Sequence, residues 1–322
     1  MSVTTPSEVD HDDTPAGREE PGSRPPTVSR RRRRLRPYTL AVPAVLLCVG
    51  ILYPFFVGVS YTVFNFSAAN PNPAFVGLRN FAEITTSAPF WNSVRVTGSF
   101  AVTATVVETV LGVGVALLLY RGGILGKVLE RALIVPLMVA PILAAIMWKL
   151  LLLPEVGWVR PLLAGLGVTD YTGTDSPLWA FIWSVVVDAW IYTPFVAIIA
   201  LAGLRSLPAS PFEAAAVDGA GWWFTFRRLT LPMLWPYVFV AVIFRLMDSL
   251  KMFDIIFGLT TGGPGDSTTT LQINAYLESI SYARYSRGIT YMVVLWAAVY
   301  LISMVLVGYL RRLQNRTAGE AT

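Results

Sequence analysis

Between Tyr38 and Leu310 the sequence carries six long apolar segments, and that pattern sets the fold class before any motif is considered. They run from Tyr38 to about Phe64, Val94 to Tyr120, Ala132 to Leu153, Leu178 to Leu204, Pro232 to Leu259 and Ile289 to Leu310. A helix needs roughly 20 apolar residues to cross ~30 Å of hydrocarbon, and each segment meets that length or nearly so. With 54% of its 322 residues hydrophobic and 14% charged, the chain holds more apolar surface than one aqueous core can hide. The expectation is an all-α membrane protein with six transmembrane helices. Pro43, Pro54, Pro136, Pro141 and Pro194 predict kinks rather than chain breaks, because neighbouring helices can satisfy the freed carbonyls.

Residues 1–29 are rich in Pro, Ser, Thr, Gly and mixed charge, so a disordered cytoplasmic tail is expected there, followed by a transmembrane domain over 30–322. The Arg30–Arg36 run resembles the start of a signal peptide, but the apolar stretch behind it is too long for one and is expected to stay as the first span. Basic residues fall on alternate connections: Arg30–Arg36, then Arg121, Lys127 and Arg131, then Arg205, Arg227 and Arg228, then Arg311, Arg312 and Arg316. Positive loops are retained inside, so both termini are expected in the cytoplasm of a multi-pass inner-membrane protein. The net charge of +5 is therefore a membrane flank and does not call for a nucleic-acid partner. One cysteine, Cys48, and one histidine, His11, exclude an internal disulfide, a zinc cluster and a histidine-based triad. Cys48 lies among apolar residues and is expected to pack.

The connection from Arg205 to Leu231 is not composed like a linker. Ser210-Pro211-Phe212-Glu213 predicts a helix start with Ser210 as N-cap, Pro211 at the first position and Glu213 returning a bond to the cap. Ala214, Ala215, Ala216 and Val217 are small enough for another surface to approach, and Asp218-Gly219 supplies a left-handed stop. Trp222, Trp223, Phe224 and Phe226 follow, an aromatic area that must cover the membrane domain or a partner.

These residues resemble the EAA loop of bacterial binding-protein-dependent ABC importer permeases: Glu213-Ala214-Ala215, then Gly219, then Leu229-Thr230-Leu231-Pro232, with Leu229 where isoleucine is usual. The resemblance implies a type I ABC importer permease (MetI-like) fold. It also implies a coupling helix within 205–231 that seats in a cytoplasmic ATPase, with Glu213 paired to a basic residue and Asp218, Gly219, Leu229 and Pro232 shaping the loop. A second segment, Leu259-Thr260-Thr261-Gly262-Gly263-Pro264-Gly265 with Thr268, Thr269, Thr270 and Leu271, is similar to the LTxGGP segment of maltose-type and glycerophosphate-type permeases. Read alone, it is a turn at the outer face. Together the two resemblances imply the sugar-importing branch, and by overall similarity the chain looks most like SugA-type permeases of mycobacterial trehalose importers.

The partners implied are a second homologous permease, two ATPase subunits carrying ATP and Mg, an extracytoplasmic sugar-binding (lipo)protein, a carbohydrate such as a disaccharide, and the bilayer. No cofactor is expected on this chain, and no P-loop sequence occurs in it.

Charges within the spans must have a partner, a wet cavity or a pathway. Glu108, Lys149, Asp188, Arg245, Asp248, Lys251 and Asp254 are such charges, and the last four, at three-residue spacing, are expected on one broad face of the fifth span. Either they hold the bundle together as ion pairs or they line a pathway, and one role does not preclude the other. For a sugar, Asp188, Asp248, Asp254, Asn274, Tyr276 and Trp190 offer hydroxyl-binding groups and stacking faces. Glu108 and Lys149 are candidates to pair. An ion-coupled secondary transporter also uses buried charges, but it has no need of an ATPase socket. A membrane-embedded enzyme lacks any paired catalytic signature here.

Overall fold

The computed structural model describes residues 30–319, so the expected tail 1–29 lies outside the described residues. The chain divides into two units, one ending at Pro54 and one beginning at Phe55. The first contains most of α1 (Arg30–Tyr61), where Leu46, Leu47, Ile51 and Cys48 are all exposed, so Cys48 is not packed as expected.

The second unit continues through β1 (Phe64–Ser67), β2 (Asn70–Phe75), α2 (Arg79–Thr85), α3 (Ala88–Tyr120), α4 (Gly123–Ala132), α5 (Ile134–Leu137), α6 (Pro141–Leu152) and α7 (Val159–Gly165). It then runs through α8 (Pro177–Ser206), α9 (Ser210–Val217), α10 (Trp222–Thr225), α11 (Leu231–Ser249), α12 (Asp254–Thr260), α13 (Leu271–Tyr276) and α14 (Tyr285–Gly319). Among the described residues, five helical stretches are long and apolar enough to cross a membrane: Ala41–Tyr61, Ala88–Tyr120, Pro177–Ser206, Trp222–Ser249 and Tyr285–Arg312.

The expected third span is two limbs, Gly126–Leu137 and Pro141–Leu152, bent by 96°; counted as one broken span they bring the total to six. This is a break and not the kink expected from Pro136 and Pro141. Ala140 precedes a proline and is forced into extended backbone at ψ 128°, so α6 restarts in a new direction with Pro141 at its first position. The expected fifth span also differs. It is helical from Trp222 to Ser249, turns at Leu250–Phe253 through Lys251 N–H to Asp248 O and Met252 N–H to Ser249 O (3.0 and 3.2 Å), and resumes as α12. Neither proline nor glycine lies in that turn, so local chemistry does not announce it.

A short antiparallel hairpin is an addition to the all-α expectation. It pairs Phe64 with Phe75, and the buried Asn80 amide donates to Thr62 O (2.7 Å) and Phe64 O (2.9 Å) to hold its base. In the loop between α7 and α8, Tyr171 is buried and its hydroxyl donates to Leu152 O at 2.8 Å; burial pushes that phenol up to about 12.

The helices α3 and α8 form the central pair, α11 packs across both, and α12 packs on α6. Ala104, Ala144, Ala145, Val187, Ile191, Ile255 and Ile256 fill one core, and Ala116, Ala200, Leu201, Leu204, Leu234 and Val238 fill a second. Small residues let helices approach in lipid, where apolar burial alone gives no drive to associate. At Gly112 a methyl would sit 2.7 Å from Val196 Cβ and 3.0 Å from the Ala197 backbone nitrogen. Gly112→Val should therefore destabilise the bundle by ~1–3 kcal/mol through overpacking, read as a lower thermal unfolding midpoint in detergent. Gly98→Ala, where the added methyl meets nothing within 4 Å, should leave that midpoint unchanged or slightly raised; equal losses at both sites would refute the close approach of α3 and α8.

Candidate functional site

Three regions carry the charged and motif residues: a buried ion cluster in the bundle, the segment between α8 and α11, and the turn between α12 and α13. In the first, Arg245 of α11 is 2% exposed and donates through Nε to Glu108 Oε2 (2.6 Å) and through Nη2 to Glu108 Oε1 (2.8 Å), a two-pronged bond to α3. The same Nη2 reaches Asp188 Oδ2 of α8 at 3.0 Å and Ser249 Oγ at 3.1 Å, while Nη1 reaches Asp248 Oδ2 at 2.8 Å. The guanidinium carbon lies 3.8 Å from the ring centroid of Tyr192. Glu108 and Asp188 are wholly buried, whereas the Asp248 side chain is 49% exposed. Asp188 Oδ1 has no partner. The planar fork of arginine is what allows one side chain to serve three carboxylates on three helices.

The structure thus brings Asp188, Arg245 and Asp248 together and separates the rest. Glu108 meets Arg245 and not Lys149, which is exposed on α6. The broad face expected for Arg245, Asp248, Lys251 and Asp254 does not form, because α11 ends at Ser249. Lys251 then sits exposed in the turn, and Asp254 opens α12 in a new direction, also exposed. Trp190 packs edge-on against Trp148 (5.8 Å). The Asn274 amide donates to Ser93 Oγ of α3, and Tyr276 packs on Phe253 and Phe257 at 5.2 and 5.0 Å. Sequence reading missed Tyr192 and Ser249 and left Glu108 with the wrong candidate partner. The signal available was charge balance: Arg245 had to find carboxylates in lipid, and Glu108 and Asp188 were the two deepest.

In the second region, α9 is the expected short helix, but Ser210 is its first residue and not its cap. Ala209 occupies the cap position, its carbonyl accepts from Phe212 N–H and Glu213 N–H (both 3.0 Å), and no side chain caps the helix. The stop is as expected. Gly219 has φ +72°, its N–H donates to Ala216 O (3.2 Å) and Ala220 N–H donates to Ala215 O (2.9 Å), the paired bonds of a glycine-terminated helix. Glu213, Ala214, Ala216, Val217 and Asp218 are exposed, and Ala215 is half-buried. Trp222 stacks on Phe226 (5.7 Å, 9°), yet Trp222, Trp223 and Phe224 stay 63%, 60% and 57% exposed. A π-helical turn at Phe226–Thr230 leads into α11, with Leu231 N–H donating back to Phe226 O. It falls just before Pro232, which has no amide to continue the ordinary ladder and would crowd the carbonyl four residues back; Leu229 lies inside it.

The third region, between α12 and α13, is a pinned turn. Thr261 is left-handed at φ 54°, Gly262 follows at φ 94°, and the Gly263–Pro264 bond is cis. Thr268 Oγ1 donates to Gly263 O and Thr269 Oγ1 to Gly262 O, both at 2.8 Å. Thr270 Oγ1 caps α13 by accepting from Ile273 N–H, and Leu271 N–H donates to Thr97 Oγ1 of α3 (2.9 Å).

Removing Arg245 would leave two buried carboxylates without their cation. Arg245→Met is expected to cost ~3–5 kcal/mol, measured as thermal stability of the detergent-purified protein, and Glu108→Gln in the same chain should restore part of it. An unchanged midpoint for Arg245→Met would mean that the cluster does not hold the helices.

The comparisons with known proteins agree with this architecture. The trehalose/maltose transport system permease protein MalF of Thermococcus litoralis is 38% identical over 206 residues, covering 64% of this chain and 70% of that protein. The trehalose transport system permease protein SugA of Mycobacterium tuberculosis is 29% identical over 284 residues, 87% of this chain and 90% of its own. One chain of the crystal structure of a bacterial ABC transporter involved in the import of the acidic polysaccharide alginate superposes with a TM-score of 0.75 at 21% identity, covering 87% of this chain and 96% of that one. Residues 108–319 match the family described as binding-protein-dependent transport system inner membrane component, and the chain belongs to that family.

Proposed function

We propose that this chain is a permease subunit of an ATP-driven sugar importer, forming half of a pathway shared with a second, homologous permease. The observation that carries the reading is α9: a short helix, stopped by Gly219, that leaves Glu213, Ala214 and Ala216 bare on the connection between α8 and α11. A surface of one carboxylate and several methyls suits a close-fitting partner that supplies a cation. On this reading residues 205–231 couple to two cytoplasmic ATPase subunits, which bind ATP and Mg, and both termini are cytoplasmic. Residues 1–29 are a tail ahead of the permease domain 30–322.

The names of the relatives, trehalose/maltose and trehalose permeases among them, support a sugar as cargo, and a disaccharide such as trehalose is the substrate proposed. An extracytoplasmic binding protein delivers it near the Thr261–Pro264 turn. Asp188, Trp190, Arg245, Asp248, Lys251, Asp254, Asn274 and Tyr276 are proposed along the pathway, with Asp248 the foremost because its carboxylate is both tied to Arg245 and half-exposed. The connectivity suits alternating access. A push on α9 acts directly on α8 and α11, the two helices that Arg245 and Asp188 tie together.

Glu213→Ala should lower sugar-stimulated ATPase activity and uptake by about tenfold, the effect of losing one contact worth ~1.4 kcal/mol, without preventing membrane insertion. Wild-type coupling in that variant would remove the role given to Glu213. Asp248→Asn should change the sugar concentration dependence of uptake while the ATPase still co-purifies; unchanged uptake kinetics would leave Asp248 as a structural partner of Arg245 alone.

A further inference from the structure

A cavity of about 610 Å³ runs between α3, α8 and the first limb of the broken span. Val107, Leu111, Val115 and Leu118 form a stripe of α3 along it, faced by Leu133 and Trp190. From Val107 to Leu119 the stripe extends ~18 Å at 1.5 Å per residue, close to the ~15 Å depth of one leaflet of hydrocarbon. It reaches the end of α3 that leads into the basic connection. A second cavity, of about 590 Å³, shares Leu118 as a wall and is bordered by Tyr120, Arg121, Trp222, Thr225 and Phe226.

Arg121 is exposed, and among the described residues no carboxylate pairs with it. Glu130, the nearest acidic residue in that connection, is engaged by Arg205 at 2.9 Å. The same end of the bundle carries Lys127, Arg131, Arg227 and Arg228, so its field attracts anions. Tyr120 and Trp222, 54% and 63% exposed, have the amphipathic rings favoured at headgroup depth.

An apolar trough one leaflet deep, adjoining a second cavity that an exposed guanidinium and aromatic side chains border, has the shape and charge of one kind of molecule. We propose that an anionic phospholipid binds here, with one acyl chain along the Val107–Leu118 stripe and its phosphate on Arg121. Its placement in the inner leaflet rests on the orientation proposed above. Because Trp222 and Phe226 follow α9 directly, and Phe212 of α9 also borders the second cavity, the lipid headgroup would touch the coupling segment itself.

The test reconstitutes the intact importer in nanodiscs of phosphatidylcholine with or without phosphatidylglycerol and measures phosphatidylglycerol retained per permease by native mass spectrometry. Wild-type protein should retain phosphatidylglycerol in preference to phosphatidylcholine. Arg121→Ala should lower that retention about fivefold, the effect of one basic side chain at a membrane surface, and Arg121→Lys should keep most of it. Val115→Trp, which fills the trough, should lower retention with Arg121 intact. Equal retention of both lipids, or unchanged retention in both Arg121→Ala and Val115→Trp, would overturn the proposal. So would a cysteine at Leu118 that cross-links to the second permease or the ATPase in the assembled importer, since protein and not lipid would then fill the cavity. A cysteine at Ala215 labelled from outside the cell would defeat the coupling reading and the inner-leaflet placement while leaving retention on Arg121 measurable, so the two failures are told apart.

Discussion

A guanidinium in hydrocarbon has to find carboxylates, and the way Arg245 does so organises this protein. Its fork takes Glu108 from α3, Asp188 from α8 and Asp248 from its own helix, so the three helices that form the centre of the bundle are joined at one point. Lipid offers apolar helices nothing that a neighbouring apolar helix does not also offer, and close packing must come from small residues and polar ties. The alanines and Gly112 supply the first, and the Arg245 cluster supplies the second. Breaking such a tie costs far more than the tie contributes over an apolar alternative, which makes the cluster a fixed point and gives little net stability.

The irregular segments sit around that fixed point. The turn at Leu250–Phe253 begins one residue after Ser249, the last group that Arg245 contacts, and it sends Asp254 and α12 toward α6. The 96° break before α6 gives α12 its packing surface, through Ala144 and Ala145. On the proposed reading, a push on α9 travels along α8 and α11 as a pair, because Arg245 prevents one from moving without the other. On the same reading, the half-exposed Asp248 would carry that movement to the proposed pathway.

Much of this was legible in the sequence, for physical reasons that differ from element to element. Five spans could be read from length and apolarity, since lipid imposes both. The stop at Gly219 was legible because a left-handed residue is a local demand, while the part played by Thr268 and Thr269, which clamp the Gly262–Gly263 turn, was not. Ser210 misled, because Ala209 can begin the helix with its carbonyl alone. The Glu108–Arg245 bond was hidden because 137 residues separate the partners and periodicity says nothing about which helices meet. The break at Leu250–Phe253 left no trace in turn-forming residues, and the Phe64–Phe75 hairpin was hidden because its first strand is only four residues long and its second carries Pro71 and Pro73.

The claim at the centre is that α9 is gripped by an ATPase and passes its motion to the helices joined at Arg245. Site-directed cross-linking tests it most directly, using a single cysteine at Ala216 in a Cys48→Ser background within the assembled importer. The account predicts a cross-link to the ATPase subunit whose yield changes between nucleotide-free and ATP-trapped states. No cross-link in either state, together with reaction of the Ala216 cysteine with an impermeant reagent added outside the cell, would contradict it.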